Sequence, residues 1–398
     1  MDITIYPGKL CGTVCAISSK SQAHRLLICS AFADKPTHLI CPQTNQDIEA
    51  TAQCLRELGA DIHRTADSYY ITPIRSIPTS ALLNCRESGS TLRFMLPIAG
   101  ALGVNATFQM EGRLAERPLS PLWEEMERMG CILSRLTPDT VTCTGKLNAG
   151  NYMIDGSVSS QFITGLLFAM ALIPSKSTLT VTGKIESVPY IHMTRQALNI
   201  FGVEVSDNGI SGSLPFNSPG KVNVEGDWSN AAFFLVAKAI GSDLSVEGLN
   251  LDSAQGDREV APILNSITEH ITISASDIPD LIPILSVAAS ARCGAIFTNI
   301  HRLRLKESDR VASVIAMLKA LGIRAEATED ILTVYPGQIR GGIVDAVNDH
   351  RIAMSAAIAA TVATEPVTIL GAHCVAKSYP TFWDQYSRLG GKYEQYIR

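Results

Sequence analysis

A chain of 398 residues, 46% hydrophobic and 18% charged, is long enough for two or three domains with cores of their own. Its formal net charge of −5 excludes binding to DNA, RNA or anionic lipid by bulk electrostatics. No apolar run reaches the roughly 18 residues a membrane helix needs, and Met1-Asp2-Ile3-Thr4 has no leader pattern, so a cytoplasmic protein is expected.

The first strand-like run is Thr4-Ile5-Tyr6, followed by Cys11 and Cys15. No C-x-x-C pair occurs among the cysteines, so all are expected to be structural thiols and no metal site is read from them. Ser19 with Gln22 forms a capping-box pattern, yet the first turns of that helix hold Lys20, His24 and Arg25. A helix start carries partial positive charge and unpaired N–H groups, so acids belong there and cations do not. The pattern Leu55-Arg56-Glu57-Leu58-Gly59 then predicts a helix closed by a left-handed glycine, with Tyr70-Ile71-Thr72 as a strand beyond it.

Further along, Glu87-Ser88-Gly89-Ser90-Thr91-Leu92-Arg93 opens an apolar helix with a cation again in its first turn. A second helix end follows at Met129-Gly130. Gly156-Ser157-Val158-Ser159-Ser160-Gln161 places hydroxyls and free N–H groups before the apolar run Phe162 to Ile173. Leu179-Thr180-Val181 reads as a strand, and Ser187-Val188-Pro189 as a helix start with proline in its first turn. A third helix end lies at Phe201-Gly202. Turn residues from Val224 to Ser229 predict a domain boundary before the apolar helix Ala231 to Ile240.

Beyond that boundary, Ser308 precedes Arg310 at a helix start, and a fourth helix end falls at Leu321-Gly322 before the strand Leu332-Thr333-Val334. Asn348-Asp349-His350-Arg351 leads into the Ala-rich helix Ile352 to Ala360. The four closing glycines are spaced 71, 72 and 120 residues apart. That spacing predicts a repeated unit of roughly 60–70 residues, with a degenerate copy near Ile263 to Ile273.

One misplaced cation costs about 1 kcal/mol or less and is compatible with a solvated surface charge. Four helix starts of this kind point instead to external anions, because N–H groups, dipole and cation together favour phosphate or carboxylate. The helix after Trp228 has no cation at its start and provides a contrast.

Taken in order, the most specific segments are Ser19-Lys20-Ser21 with Arg25, Asp155 to Phe162, Lys306-Glu307-Ser308-Asp309-Arg310, and Asn348-Asp349-His350-Arg351. Ile278-Pro279-Asp280 and Ala376-Lys377-Ser378-Tyr379-Pro380 support them. From about Pro7 to Phe382 this order closely resembles the EPSP synthase family, the 3-phosphoshikimate 1-carboxyvinyltransferases. The resemblance implies an α/β (α+β) fold with two lobes of the inverse α/β barrel-like kind, each made of three βαβαββ repeats. Residues 1–18 with 228–398 would form the C-terminal lobe and residues 19–227 the N-terminal lobe, with a two-stranded hinge near 18 and 227.

It also implies transfer of the enolpyruvyl group of phosphoenolpyruvate to the 5-hydroxyl of shikimate 3-phosphate. By position, shikimate 3-phosphate would be held by Lys20, Ser21, Arg25, Ser159, Ser160, Gln161, Ser187, Asp280 and Lys306. Phosphoenolpyruvate would be held by Lys20, Gly89, Arg117, Gln161, Arg310, Arg351 and Lys377, whose arginine forks suit a carboxylate and a phosphate. Asp280 is expected to handle the hydroxyl proton and Glu307 the methylene proton, with Lys20, its pKa lowered by neighbouring cations, assisting. No cofactor, metal, nucleic acid or membrane partner is implied, and a monomer is expected.

Four positions depart from the family pattern: Glu87 for asparagine, Arg302 for an amide, Val188 for lysine and Ser90 for threonine. Two other readings compete. The enolpyruvyltransferases acting on UDP-N-acetylglucosamine carry a cysteine where this chain has Arg113 to Pro118, and asparagine where it has Ser21. A non-catalytic binder of phosphorylated metabolites would need the cations but not the carboxylates of Asp280 and Glu307.

Overall fold

Strand ends fix the helix starts along this chain. The computed structural model describes residues 1–206, 210 and 215–396. Strands end at Cys15, Asn84, Asp155, Asn223 and Asp345, and each time the fourth residue beyond caps a helix: Ser19, Ser88, Ser159, Asp227 and Asp349. Every one of these caps accepts a backbone N–H with its side chain, satisfying a donor the helix cannot. Asn84, Asp155 and Asp345 tighten the turn by accepting the N–H two residues on, each at 2.8 Å.

The chain divides into two units, Ser18–Glu225 and Met1–Ile17 with Gly226–Arg398. In the first, Lys221–Asn223, Thr37–Ile40, Ser68–Thr72 and Asp61–Arg64 make one sheet, in that order. Ser80–Asn84, Asn105–Gln109, Thr140–Gly145 and Cys131–Thr137 make a second, and Asn151–Asp155 pairs with Thr178–Thr182. In the second unit, Gly342–Asp345, Val367–Leu370, Asp2–Tyr6 and Lys392–Tyr396 form one sheet. Ile271–Ser274, Ala295–Thr298, Ile331–Val334 and Ala325–Ala327 form another, and Asp243–Glu247 pairs with Cys11–Cys15.

In every sheet the first two strands named are parallel, as a helical crossover requires, and the further pairings are antiparallel. Residues 80–145 show the expected βαβαββ unit whole, with helices Gly89–Leu102 and Leu122–Arg128 between their strands. Each unit has its own apolar core.

Inside the first unit, helix Ser160–Leu172 is buried along almost its whole length and lies against helix Gly89–Leu102. Gly165 makes that approach possible, since a Cβ there would collide with the Arg93 carbonyl oxygen and lie 2.8 Å from Pro97 Cγ. Pro97 has no N–H to give that carbonyl, so the crossing falls where the helix ladder is already open.

Several local expectations need correction. The capping box is half formed: Ser19 Oγ accepts the Gln22 N–H, but Gln22 Oε1 accepts from Glu225 instead of reaching back. The helix start expected at Arg310 is present, and Asp309 caps it. The helices expected at Ala231 and Ile352 begin earlier, as Trp228–Ala239 and His350–Ala359, because Asp227 and Asp349 cap them. Cys11 and Cys15 are exposed and therefore are not packing thiols, since they lie on solvent-facing positions of their strand. The degenerate copy is helix Val260–Ser266 with strand Ile271–Ser274 and no closing glycine. One unforeseen copy occurs, helix Phe382–Arg388 closed by Gly390 at φ +89° before strand Lys392–Tyr396. Among the described residues no helix is long and apolar enough to cross a membrane.

Candidate active site

The Ser18–Glu225 unit gathers its expected site residues at helix starts. Lys20 opens helix Lys20–Ala31, and its Nζ lies 2.8 Å from the Asp47 carboxylate. This ammonium therefore pairs with an acid on the next helix. Arg25 is buried one turn on; it donates to the Ser21 carbonyl at 2.6 Å, to Thr194 Oγ1 at 2.9 Å and to the Tyr190 carbonyl at 2.9 Å. These bonds tie Ser21 and the helix begun by Ser187 to one guanidinium. Burial lowers the Arg25 pKa to about 10, which leaves it charged at neutral pH.

Gly89 sits where a Cβ would lie 2.7 Å from the guanidinium nitrogens of both Arg93 and Arg117. Only a residue without a side chain leaves room for two arginine heads at this helix start. Arg93 donates to Gln161 Oε1 at 2.8 Å, and Gln161 Nε2 donates to Ser90 Oγ at 3.0 Å. The close crossing at Gly165 brings these two helix starts together. Ser159 caps its helix by accepting the Gln161 N–H at 3.2 Å, and Ser160 follows it, buried. Ser187 is buried at φ +55°, a left-handed conformation that costs a serine free energy and turns the chain sharply into its helix.

In the other unit the sites converge on Arg310, which is fully buried. It donates to Asp349 at 3.0 Å, to Asp280 at 2.8 Å and also to Glu307. Burial works against its charge, and Asp349, Glu307 and Asp280 outweigh that, so its pKa rises. For Asp349 burial alone would raise the pKa; Arg310 more than reverses it. Arg351 reaches Asp280 Oδ2 at 3.1 Å, and Lys306 Nζ lies 3.4 Å from Asp280 Oδ1. Burial pulls the Lys306 pKa down to about 8, with Asp280 opposing the fall. Lys377 donates to the Asn348 carbonyl at 2.9 Å, next to Asp349. Asn348 and Val347 both have positive φ, which strains Val347 most because its side chain is β-branched.

Asp280 stands in an irregular stretch between strand and helix. Its strand ends at Ser274, but helix Ile282–Ala291 starts later than in the five other cases and has no side-chain cap. Asp280 lies in this lengthened approach to the helix and meets Arg310, Arg351 and Lys306 there.

Sequence reasoning missed three carboxylates. Asp47 pairs Lys20 and Asp349 anchors Arg310. Asp257 is buried, and burial followed by the charge of Asp280 lifts its pKa to about 7. A signal existed only for Asp349, which stands in a motif and at a capping position. Glu87 lies against Gly112, where a Cβ would sit 2.7 Å from its carboxylate, and Arg302 is buried. Among the described residues no group of three or more His, Cys, Asp or Glu side chains is arranged to hold a metal ion.

The family model described as EPSP synthase (3-phosphoshikimate 1-carboxyvinyltransferase) matches residues 5–386. The 3-phosphoshikimate 1-carboxyvinyltransferase of Clostridium kluyveri is 36% identical, over 99% of this chain and 98% of its own. That of Clostridium beijerinckii is 37% identical, over 99% of each. A solved EPSP synthase from Acinetobacter baumannii shares the fold at TM-score 0.80 and 24% identity, covering 99% of this chain and 100% of its own. The enolpyruvyl transferase NikO from Streptomyces tendae shares it at TM-score 0.77 and 16% identity, over 99% and 98%. With a family match over nearly its whole length and relatives this similar, the chain belongs to the EPSP synthase family.

Proposed function

We propose that the Arg310 cluster and the Gly89 and Arg25 clusters divide the substrates of one reaction, as the resemblance assigned them. The reaction follows from the family: the chain transfers the enolpyruvyl group of phosphoenolpyruvate to the 5-hydroxyl of shikimate 3-phosphate. Phosphate is released and 5-enolpyruvylshikimate 3-phosphate is formed, a step toward chorismate and the aromatic amino acids. Lys20, Ser21, Arg25, Ser159, Ser160, Gln161, Ser187, Asp280 and Lys306 are the proposed acceptor ligands. Lys20, Gly89, Arg117, Gln161, Arg310, Arg351 and Lys377 are the proposed donor ligands.

The observation that carries the site assignment is the sharing of Asp280 between Arg310 and Arg351. A base tied to two guanidiniums is held charged and oriented, but its lone pairs are occupied. An anionic donor that binds the same guanidiniums competes for their N–H groups and loosens Asp280 as it arrives. Asp280 then takes the proton of the 5-hydroxyl, whose oxygen bonds to C2 of phosphoenolpyruvate while the methylene carbon gains a proton from Glu307. In the second half the bond from C2 to the phosphate oxygen breaks, the departing phosphate takes up the proton held by Asp280, and the methyl group returns a proton to Glu307. Lys20 is the further proton carrier of this proposal. These steps need proton transfer and charge neutralisation, which the side chains supply without a cofactor. A cytoplasmic monomer, hinged where the chain passes between units, completes the proposal.

Mixing the protein with both substrates should release inorganic phosphate, while UDP-N-acetylglucosamine in place of shikimate 3-phosphate should give none. Release with the nucleotide sugar alone, or with neither acceptor, sinks the reading.

Lys306 adds a pH test. Its ammonium loses a proton as pH rises through about 8, which removes a cation from the acceptor site. The value of kcat/KM for shikimate 3-phosphate should therefore fall about tenfold per pH unit above that point. In Lys306→Arg the break should move out of the accessible range; an unchanged break would assign it to another group.

A further inference from the structure

His24 stands between Lys20 and Arg25, and the reaction gives it no task. It is fully buried, with Nδ1 2.7 Å from Thr51 Oγ1. Thr51 Oγ1 is 2.7 Å from Thr91 Oγ1, which lies 2.8 Å from Ser88 Oγ. Ser88 Oγ in turn accepts the Thr91 N–H at 3.2 Å, as the cap of the helix that begins at Gly89. All four side chains are buried, so the chain of bonds runs through three helices without help from water. Thr91 Oγ1 also lies 3.4 Å from the carbonyl of Asp47, whose carboxylate holds Lys20.

A hydroxyl has one proton to give, so such a chain has one direction, set by the imidazole at its end. Nε2 of His24 has no hydrogen-bond partner. A proton there would be a buried donor with nothing to bond, the costlier kind of orphan. With the proton on Nδ1, His24 gives to Thr51, Thr51 to Thr91 and Thr91 to Ser88. The Ser88 oxygen then receives both hydrogens of Thr91, backbone and side chain, and keeps its own proton for the space before Gly89. The ring stays neutral, because burial first, then Lys20 and Arg25, push its pKa well below the ordinary value.

We propose that His24, Thr51 and Thr91 are positioning residues that aim the Ser88 hydroxyl and the Gly89 N–H at phosphoenolpyruvate and couple that helix start to the helix carrying Lys20. This rests on the assignment of Gly89 to the donor, so the experiment separates the two ideas. Thr51→Val keeps the side-chain shape and removes both bonds. It should raise KM for phosphoenolpyruvate about tenfold while KM for shikimate 3-phosphate and kcat stay within about twofold, and Thr51→Ser should restore the wild-type value. Gly89→Ala serves as the control for the site. If Gly89→Ala leaves KM for phosphoenolpyruvate unchanged, the donor assignment is wrong. If it raises that KM but Thr51→Val leaves it alone, raises both KM values equally, or is not rescued by serine, the positioning proposal is wrong.

Should Thr51→Val fail to fold, nitrogen-15 histidine spectra of the wild-type enzyme decide the matter, with the His24 signal assigned through His24→Asn. The proton should sit on Nδ1 and its signal should shift when phosphoenolpyruvate is added. A proton on Nε2, or a signal indifferent to the ligand, overturns the proposal.

Discussion

Replacing Arg310 with methionine should cost about 3–5 kcal/mol of unfolding free energy and leave no measurable turnover. Methionine matches much of the length but none of the charge. Arg310 and Asp349 are both 0% exposed, so the carboxylate left behind has neither water nor a cation. Asp280 and Glu307, at 20% and 25%, keep some solvent but lose the cation that offsets their mutual repulsion. Denaturant midpoints would measure the loss, and a midpoint equal to wild type would end the buried-cation account. Acid supplies a second reading. The Asp349 pKa is lowered in the folded wild type, so its contribution is present above the ordinary Asp value of about 3.9 and is lost as pH falls through the folded pKa. The variant lacks that contribution, so the gap between the two proteins should narrow in acid. Lysine at this position should rescue little, because one ammonium cannot span the geometry of three carboxylates.

Lys20→Met should behave in the opposite way, with turnover falling by about 10²–10⁴ and stability moving by no more than about 1 kcal/mol. Lys20 and Asp47 are each 17% exposed and joined by one ion pair, so Asp47 can recover water when its partner goes. Measured together, kcat and the thermal midpoint separate the roles. Retained turnover would remove Lys20 from the chemistry, and a large drop in midpoint would make it a structural residue instead.

The helix ends at Gly59, Gly130, Gly202 and Gly322 were legible because a left-handed residue after an amphipathic run has a local cause, and all four have positive φ. The copy at Gly390 lies at the end of a seven-residue helix, the same length as the one that Gly130 closes, so helix length does not separate them. The cations at helix starts were legible for the same local reason, since a charge against a dipole is visible in a window of seven residues. Their counter-charges were not. Asp47 lies 27 residues from Lys20 and Asp349 lies 39 from Arg310, separations at which sequence carries no pairing signal. Cys11 and Cys15 were misread because composition says nothing about which face of a strand meets solvent. The late helix start beside Asp280 shows only against the five regular cases, and those become visible only when strand ends are known.

Strand Asp2–Tyr6 sits in the middle of its sheet, between Val367–Leu370 and Lys392–Tyr396. A ribosome makes it first and makes both of its neighbours last. Residues 18–225, by contrast, hold all their own strand partners and can close around their core as soon as Lys221–Asn223 has emerged. Synthesis therefore runs through a long interval in which one unit is complete and the other waits, its first strand with both edges open. That order makes Lys392–Tyr396 the strand whose pairing completes this sheet.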